Sequence, residues 1–129
     1  MNIGRASKLS ELTVKTLRYY DNIGLVKPYQ NVFSGYREYN EKDILKLKFV
    51  GKARKFNFSI DECRELLSLY ENKSRPSKDV KKLTLEKISQ IDEKLKQLQN
   101  LKDELTYLAD NCHGDDRPNC PILDALSKK

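Results

Sequence analysis

Thr16-Leu17-Arg18-Tyr19-Tyr20-Asp21-Asn22-Ile23-Gly24-Leu25-Val26-Lys27-Pro28 is the stretch on which the fold turns. Its first half continues a helical segment from Thr13 to Ile23, and the Thr13 hydroxyl can cap the helix start. Val14, Leu17 and Ile23 fall on the inner side. Gly24 offers a C-terminal stop, and Pro28 prevents continuation. Upstream, Ile3 to Leu9 forms another short segment with Ile3, Ala6 and Leu9 on one side, and Ser10 can cap or turn. Two short helices joined by a tight turn make a helix-turn-helix pattern, which length and spacing alone do not make unique.

Lys15, Arg18 and Tyr19 share the outer face of the second segment, where a recognition helix presents side chains to the major groove. Arg18 can bond a guanine edge bidentately, whereas Lys15 suits a phosphate. Each is equally compatible with an ordinary surface cation. Of the adjacent tyrosines one must face inward, and Tyr19 is the expected contact.

Downstream the period changes to two. Val32-Phe33 and Tyr36-Arg37-Glu38-Tyr39 flank a Ser34-Gly35 turn, which reads as a small hairpin or wing. Tyr36 and Arg37 at its tip suit phosphate contacts, and Arg54 and Lys55 at the following helix end can extend them. Helical periodicity resumes at Glu41, with Ile44, Leu45, Leu47, Phe49 and Val50 inward. Ser59 and Glu62 form a capping box for a helix carrying Ile60, Cys63, Leu66, Leu67 and Tyr70. Cys63 there reads as buried packing.

After a polar connector, an uninterrupted helical pattern runs from about Ser77 to Asn111. Val80, Thr84, Ile88, Ile91, Leu95, Leu98, Leu101, Leu105 and Leu108 recur at spacings of three and four. At ~1.5 Å per residue the helix is about 50 Å long. So narrow a stripe on such a length is a coiled-coil seam, which implies a dimer and leaves strand orientation open.

Charge divides the chain. Residues 1–56 carry 12 Lys/Arg and 5 Asp/Glu, and residues 57–129 carry 13 and 14. A basic head on a nearly neutral tail points to a polyanionic partner for the head. No apolar run approaches the ~20 residues of a membrane span, and the N-terminus has no signal-peptide core. A cytoplasmic protein with reduced thiols and no membrane partner is expected. No nucleophile–base pair, paired carboxylates or phosphate-cradling glycine loop is present, so an enzyme is not expected.

Seven residues separate Cys112 from Cys120, so the backbone can fold back and bring both sulfurs to one small atom. Thiolates select soft ions such as Cu(I), and a tetrahedral zinc site would want four ligands. Pro121 can begin a short helix to Leu126, making Cys120 its N-cap and lowering its pKa. Ile122, Leu123 and Leu126 give that helix an apolar face, expected to dock on the dimer scaffold when metal orders the loop. His113 reads as an exposed loop histidine more readily than as a ligand. Asp115 and Asp116 read as turn and helix-end charges.

Residues 16–28, followed by Gly35-Tyr36-Arg37-Glu38-Tyr39, closely resemble the head of the MerR family of transcriptional regulators. The resemblance covers essentially the whole chain. It implies a homodimer with antiparallel dimer helices, bound to a pseudo-palindromic operator in promoter DNA whose elements are too far apart for RNA polymerase. Effector binding then makes the protein underwind the promoter so that polymerase engages both elements. Cys112 and Cys120 look like the loop cysteines of the copper-efflux (CueR-like) branch, which bind Cu(I), Ag(I) or Au(I), one per subunit. In relatives sensing divalent ions, the dimer helix begins with a third cysteine, where this chain has Ser77. The superoxide-sensing branch needs four clustered cysteines, and this loop lacks two.

The expected architecture is mainly α: a winged helix-turn-helix head (1–71), a connector (72–76), a long antiparallel coiled-coil dimerisation helix (77–111), and a metal-sensing loop with a short helix (112–129). The expected function is Cu(I)-responsive activation of copper-resistance promoters. The alternatives are a sensor of another ion, including Zn(II), or of a thiol oxidant, and, in another class, a cytosolic metal buffer.

Overall fold

Helix α1 (Ile3–Ser10) starts where the Asn2 side chain accepts from the Arg5 amide, and it ends at Glu11 in the left-handed region. Helix α2 (Val14–Asn22) starts at Thr13, whose hydroxyl accepts from the Thr16 amide. A computed structural model of the chain describes residues 1–112, 114, 118 and 120–127. His113, Asp115 and Asp116 therefore lie outside the described residues.

Gly24 follows α2 with φ +72°, a conformation that side-chain-bearing residues rarely adopt. The turn it makes sends Leu25 and Val26 into the core. Strands β1 (Tyr29–Gln30) and β2 (Arg37–Glu38) then pair antiparallel, with Tyr29 opposite Glu38 and Gln30 opposite Arg37. The strands are shorter than the alternation suggested. Val32 and Phe33 belong to the turn rather than to a strand, because the Asn31 side chain accepts from the Phe33 and Ser34 amides. That local bond competes successfully with strand pairing.

Two capping boxes fix the next helices. Asn40 and Asp43 open α3 (Glu41–Lys55), and Ser59 and Glu62 open α4 (Ile60–Glu71). The core of the head gathers Ala6, Leu17, Tyr20, Val26, Tyr39, Leu47, Val50 and Cys63 from these elements. Gly51 lets the Leu12 side chain approach to 3.4 Å from where a Cβ would stand, so the α1–α2 turn lies close on α3. Lys46 and Glu71 pair at 2.8 Å, and the Phe49 and Tyr70 rings stand 5.0 Å apart, joining α3 to α4.

Two inward assignments need correction. Leu9 is exposed, and Ser10 takes the buried place beside Ala6. A helix of eight residues places Ile3, Ala6 and Ser10 on one side, which shifts the inner face by one residue. Leu45 is likewise exposed, since Ile44 and Leu47 already fill the inner stripe of α3.

Helix α5 (Ser77–Asp110) and helix α6 (Pro121–Ser127) complete the chain. Contacts divide it into two units, Met1–Lys82 and Leu83–Lys129. Within the second unit Ile88, Leu95, Leu98, Leu101 and Leu105 are all about half exposed or more. Their spacing of three, four and seven residues aligns them along one face of α5. Among the described residues, no helix is long and apolar enough to cross a membrane.

Candidate nucleic-acid interface and metal centre

Lys15, Arg18 and Tyr19 all emerge from the exposed side of α2, while Tyr20 turns into the core. Burial is the main reason the Tyr20 hydroxyl is pushed above its ordinary pKa. The division of labour between the two tyrosines is the one expected from helical spacing. Two guanidiniums hold this helix. Arg64 of α4 donates to the Ile23 and Gly24 carbonyls at 2.9 and 3.2 Å. A cation at the carbonyl end of a helix is favoured by the local dipole.

The second guanidinium is Arg37. Its Nε donates to the Asp21 carboxylate at 2.6 Å, and both side chains are largely shielded from solvent. Arg37 thus braces the wing against α2 and is not simply a cation held out toward phosphate. Tyr36 beside it is open to solvent. Arg54 also has a structural partner, donating from Nη1 to the Phe58 carbonyl at 2.8 Å across the α3–α4 corner. Of the residues expected to touch a polyanion, Lys15, Arg18, Tyr19, Tyr36 and Lys55 present open side chains. Arg37 and Arg54 anchor the framework behind them.

Sequence reasoning missed the anchoring roles of Asp21 and Arg64, and the exposure of Phe33. An acid near the end of α2 and a cation at the fifth residue of α4 are single residues without periodic signal. Only the fold shows what they reach.

The thiols of Cys112 and Cys120 stand 3.9 Å apart. That is well beyond the ~2.05 Å of a disulfide and less than twice a metal–thiolate bond of ~2.3 Å. Both sulfurs can therefore ligate one ion between them. Cys112 follows the end of α5, its amide bonded to the Ala109 carbonyl at 3.1 Å. Cys120 precedes α6, and its carbonyl accepts from the Asp124 amide at 3.0 Å. The Cys120 thiol is held below its ordinary pKa, chiefly by the Leu123 amide and then by the Ile122 amide and the Cys112 thiol. Desolvation and the Asp124 carboxylate oppose the shift. Among the described residues, no group of three or more His, Cys, Asp or Glu gathers to hold an ion. Among those residues, the soft donors brought together are the two sulfurs.

Around the pair, Ile122 is half-buried, and Leu123 and Leu126 are exposed. Ala125 of α6 lines a shallow groove with Asp103, Glu104, Tyr107 and Leu108 of α5. Ser77 is the exposed first residue of α5. Cys63 is fully buried in the head, bonded toward the Phe58 carbonyl, as packing required.

Comparison with known proteins places these features in context. The pattern described as "MerR HTH family regulatory protein" matches residues 1–69, and "MerR, DNA binding" matches residues 44–108. The chain is 48% identical over 127 residues to the HTH-type transcriptional regulator HmrR of Rhizobium leguminosarum bv. viciae, covering 98% of each protein. It is 42% identical to the HTH-type transcriptional regulator CueR of Salmonella typhimurium, covering 98% of this chain and 92% of that one. A similar solved structure is the transcription regulator PbrR691 from Ralstonia metallidurans CH34 in complex with lead(II), with TM-score 0.81 and 30% identity. The match covers 98% of this chain and 99% of that one.

Proposed function

Because the chain belongs to the MerR family of helix-turn-helix transcriptional regulators, we propose that it is a Cu(I)-responsive activator of copper-resistance promoters. It is a regulator and not an enzyme. The observation that carries the metal assignment is the Cys112–Cys120 pair, two sulfurs 3.9 Å apart with the Cys120 thiol poised toward thiolate. Univalent ions with a filled d shell accept two soft donors, whereas divalent ions want more ligands and more compensating charge. Ser77 in place of a third cysteine fits the same choice. Ag(I) and Au(I) share this chemistry.

In this reading two copies pair antiparallel along the exposed leucine face of α5. The two heads then meet successive major grooves of a pseudo-palindromic promoter site, with Lys15, Arg18, Tyr19 and Tyr36 toward the DNA. The metal holds Cys112 and Cys120 together, which orders the loop and settles the Ile122, Leu123 and Leu126 face of α6 on the dimer scaffold. Underwinding DNA costs several kcal/mol, on the order of what smooth bending requires. An ion can tip that balance only through its different affinity for the two protein states.

The test is in vitro transcription by RNA polymerase under strict reduction, with and without Cu(I), using wild type and Cys112→Ser. Cu(I) at one per subunit should raise transcript from wild type alone, while both proteins bind DNA. Activation by Zn(II), Pb(II) or an oxidant in place of Cu(I) would overturn the copper assignment. Metal binding without any DNA binding would mark the protein as a buffer.

A further inference from the structure

Phe33 is 97% exposed at the tip of the wing, with Val32 at 80% and Tyr36 at 76% beside it. So much apolar surface is unusual on a segment that is not loose. Asn31 Oδ1 accepts from the Phe33 and Ser34 amides at 2.9 and 3.1 Å, and the Asn31 carbonyl accepts from the Gly35 amide at 2.8 Å. The Tyr36 amide donates to Ser34 Oγ, and Gln30 Nε2 donates to the Gly35 carbonyl. Gly35 takes φ +74°, which the tight return requires. These bonds fix the tip and leave the phenyl ring facing solvent.

We propose that Phe33, flanked by Val32, is an apolar wedge that enters the minor groove and partly unstacks one base step of the bound duplex. The proposal rests on the DNA-reading assignment of α2 and adds a contact of a different kind. Residues 29–36 carry no charge, although residues 1–56 carry 12 Lys/Arg against 5 Asp/Glu. The tip is therefore an uncharged point on a basic body. The Arg37–Asp21 bond fixes the wing to α2, so a duplex seated on that helix meets the tip at a set position. Apolar side chains on rigid supports kink DNA by inserting between base pairs, most cheaply at pyrimidine–purine steps.

The experiment uses the full-length protein and duplexes that it selects from a randomised pool, with 2-aminopurine placed in turn along the strand. Wild type should enhance fluorescence at one step per half-site. Phe33→Ala should lose that enhancement and bind roughly 10-fold more weakly, the scale of one lost base–aromatic contact. Its slope of log affinity against log salt should equal wild type, because the ring neutralises no phosphate. Phe33→Leu should retain most of both signals, and neither variant should melt at a different temperature. Wild-type affinity and fluorescence in Phe33→Ala overturn the proposal; if transcription alone falls, the tip meets polymerase instead. A loss accompanied by a shallower salt slope overturns it also, since the ring would then act by placing phosphate contacts. If wild type selects no duplex, the DNA-reading assignment itself fails.

Discussion

Arg37 of the wing donates to Asp21 of α2 at 2.6 Å, and this bond joins two elements that the hairpin and helix signals leave unconnected. A charge-assisted bond between largely shielded groups is stronger than a surface ion pair. Asp21→Asn removes the charge but keeps the shape. It should lower unfolding stability by about 1.5 kcal/mol, the low end of the range for hydrogen bonds to charged groups. DNA affinity should fall several-fold because the wing loses its register on α2. Arg37→Lys keeps the charge but changes the donor geometry and should recover only part of the loss. Chemical denaturation and a DNA titration at fixed salt check both.

Cys63 tests whether burial or chemistry keeps a third cysteine in the chain. It is fully enclosed among the head's apolar side chains. Cys63→Ser should cost about 1–3 kcal/mol, the scale of burying a hydroxyl in an apolar site. Metal stoichiometry should stay at one per subunit. A changed stoichiometry in Cys63→Ser would show that the sensing pair is incomplete without it.

Much of the fold was legible because the signals were redundant. Thr13 and Ser59–Glu62 each mark a helix start by a local hydrogen bond that a short window of sequence displays. The seam of α5 repeats often enough to be unmistakable. Phe33 was assigned to a strand because alternation over two residues cannot be told from a turn, and the deciding bond comes from Asn31. The exposed face of α2 was legible, because helical spacing alone separates Tyr19 from Tyr20. At Arg37 and Arg54 a sequence shows a cation without showing the carboxylate or carbonyl it folds against. The thiol pair was visible from spacing, and Pro121 signalled the helix start whose amides lower the Cys120 pKa.

Thiol titration follows from those amides. The Leu123 and Ile122 amides favour the thiolate of Cys120 in the native state. A depressed native pKa means that the associated stabilisation is complete above the ordinary thiol pKa of ~8.5 and is lost as pH falls through the native value. In Cys112→Ser, which isolates one reactive loop thiol, the alkylation rate should therefore have its inflection below that of a free thiol. Denaturing the protein should move the inflection up. Equal inflections in the native and denatured chains would remove the helix-start explanation.

Leu98 and Leu101 lie on the face of α5 that is more than half exposed in the single chain. Burying one leucine is worth about 1.5–3 kcal/mol, and a carboxylate placed there would face its partner's apolar seam. Leu98→Glu should weaken self-association at least 10-fold, with helix content near wild type at high concentration. Sedimentation velocity over a concentration series measures the shift. Loss of DNA binding should follow the loss of dimer, because one head alone makes half the phosphate contacts.

A substitution at Leu123 tests metal binding and its proposed transmission separately. Its amide supports the Cys120 thiolate, whereas its side chain points an exposed apolar surface outward. Leu123→Glu keeps the amide and charges the surface, so the two roles part. Cu(I) affinity should remain within about 3-fold of wild type, while Cu(I)-dependent transcript should fall to the metal-free level. A 3-fold change is only ~0.6 kcal/mol, small beside the ~1–3 kcal/mol by which an effector usually couples two sites. Leu123→Met preserves volume and apolarity and should activate normally. Competition with a Cu(I) chelator reads the affinity, and run-off transcription reads the coupling. Full activation by Leu123→Glu would mean that α6 transmits nothing through this face and that the metal acts on the heads by another route.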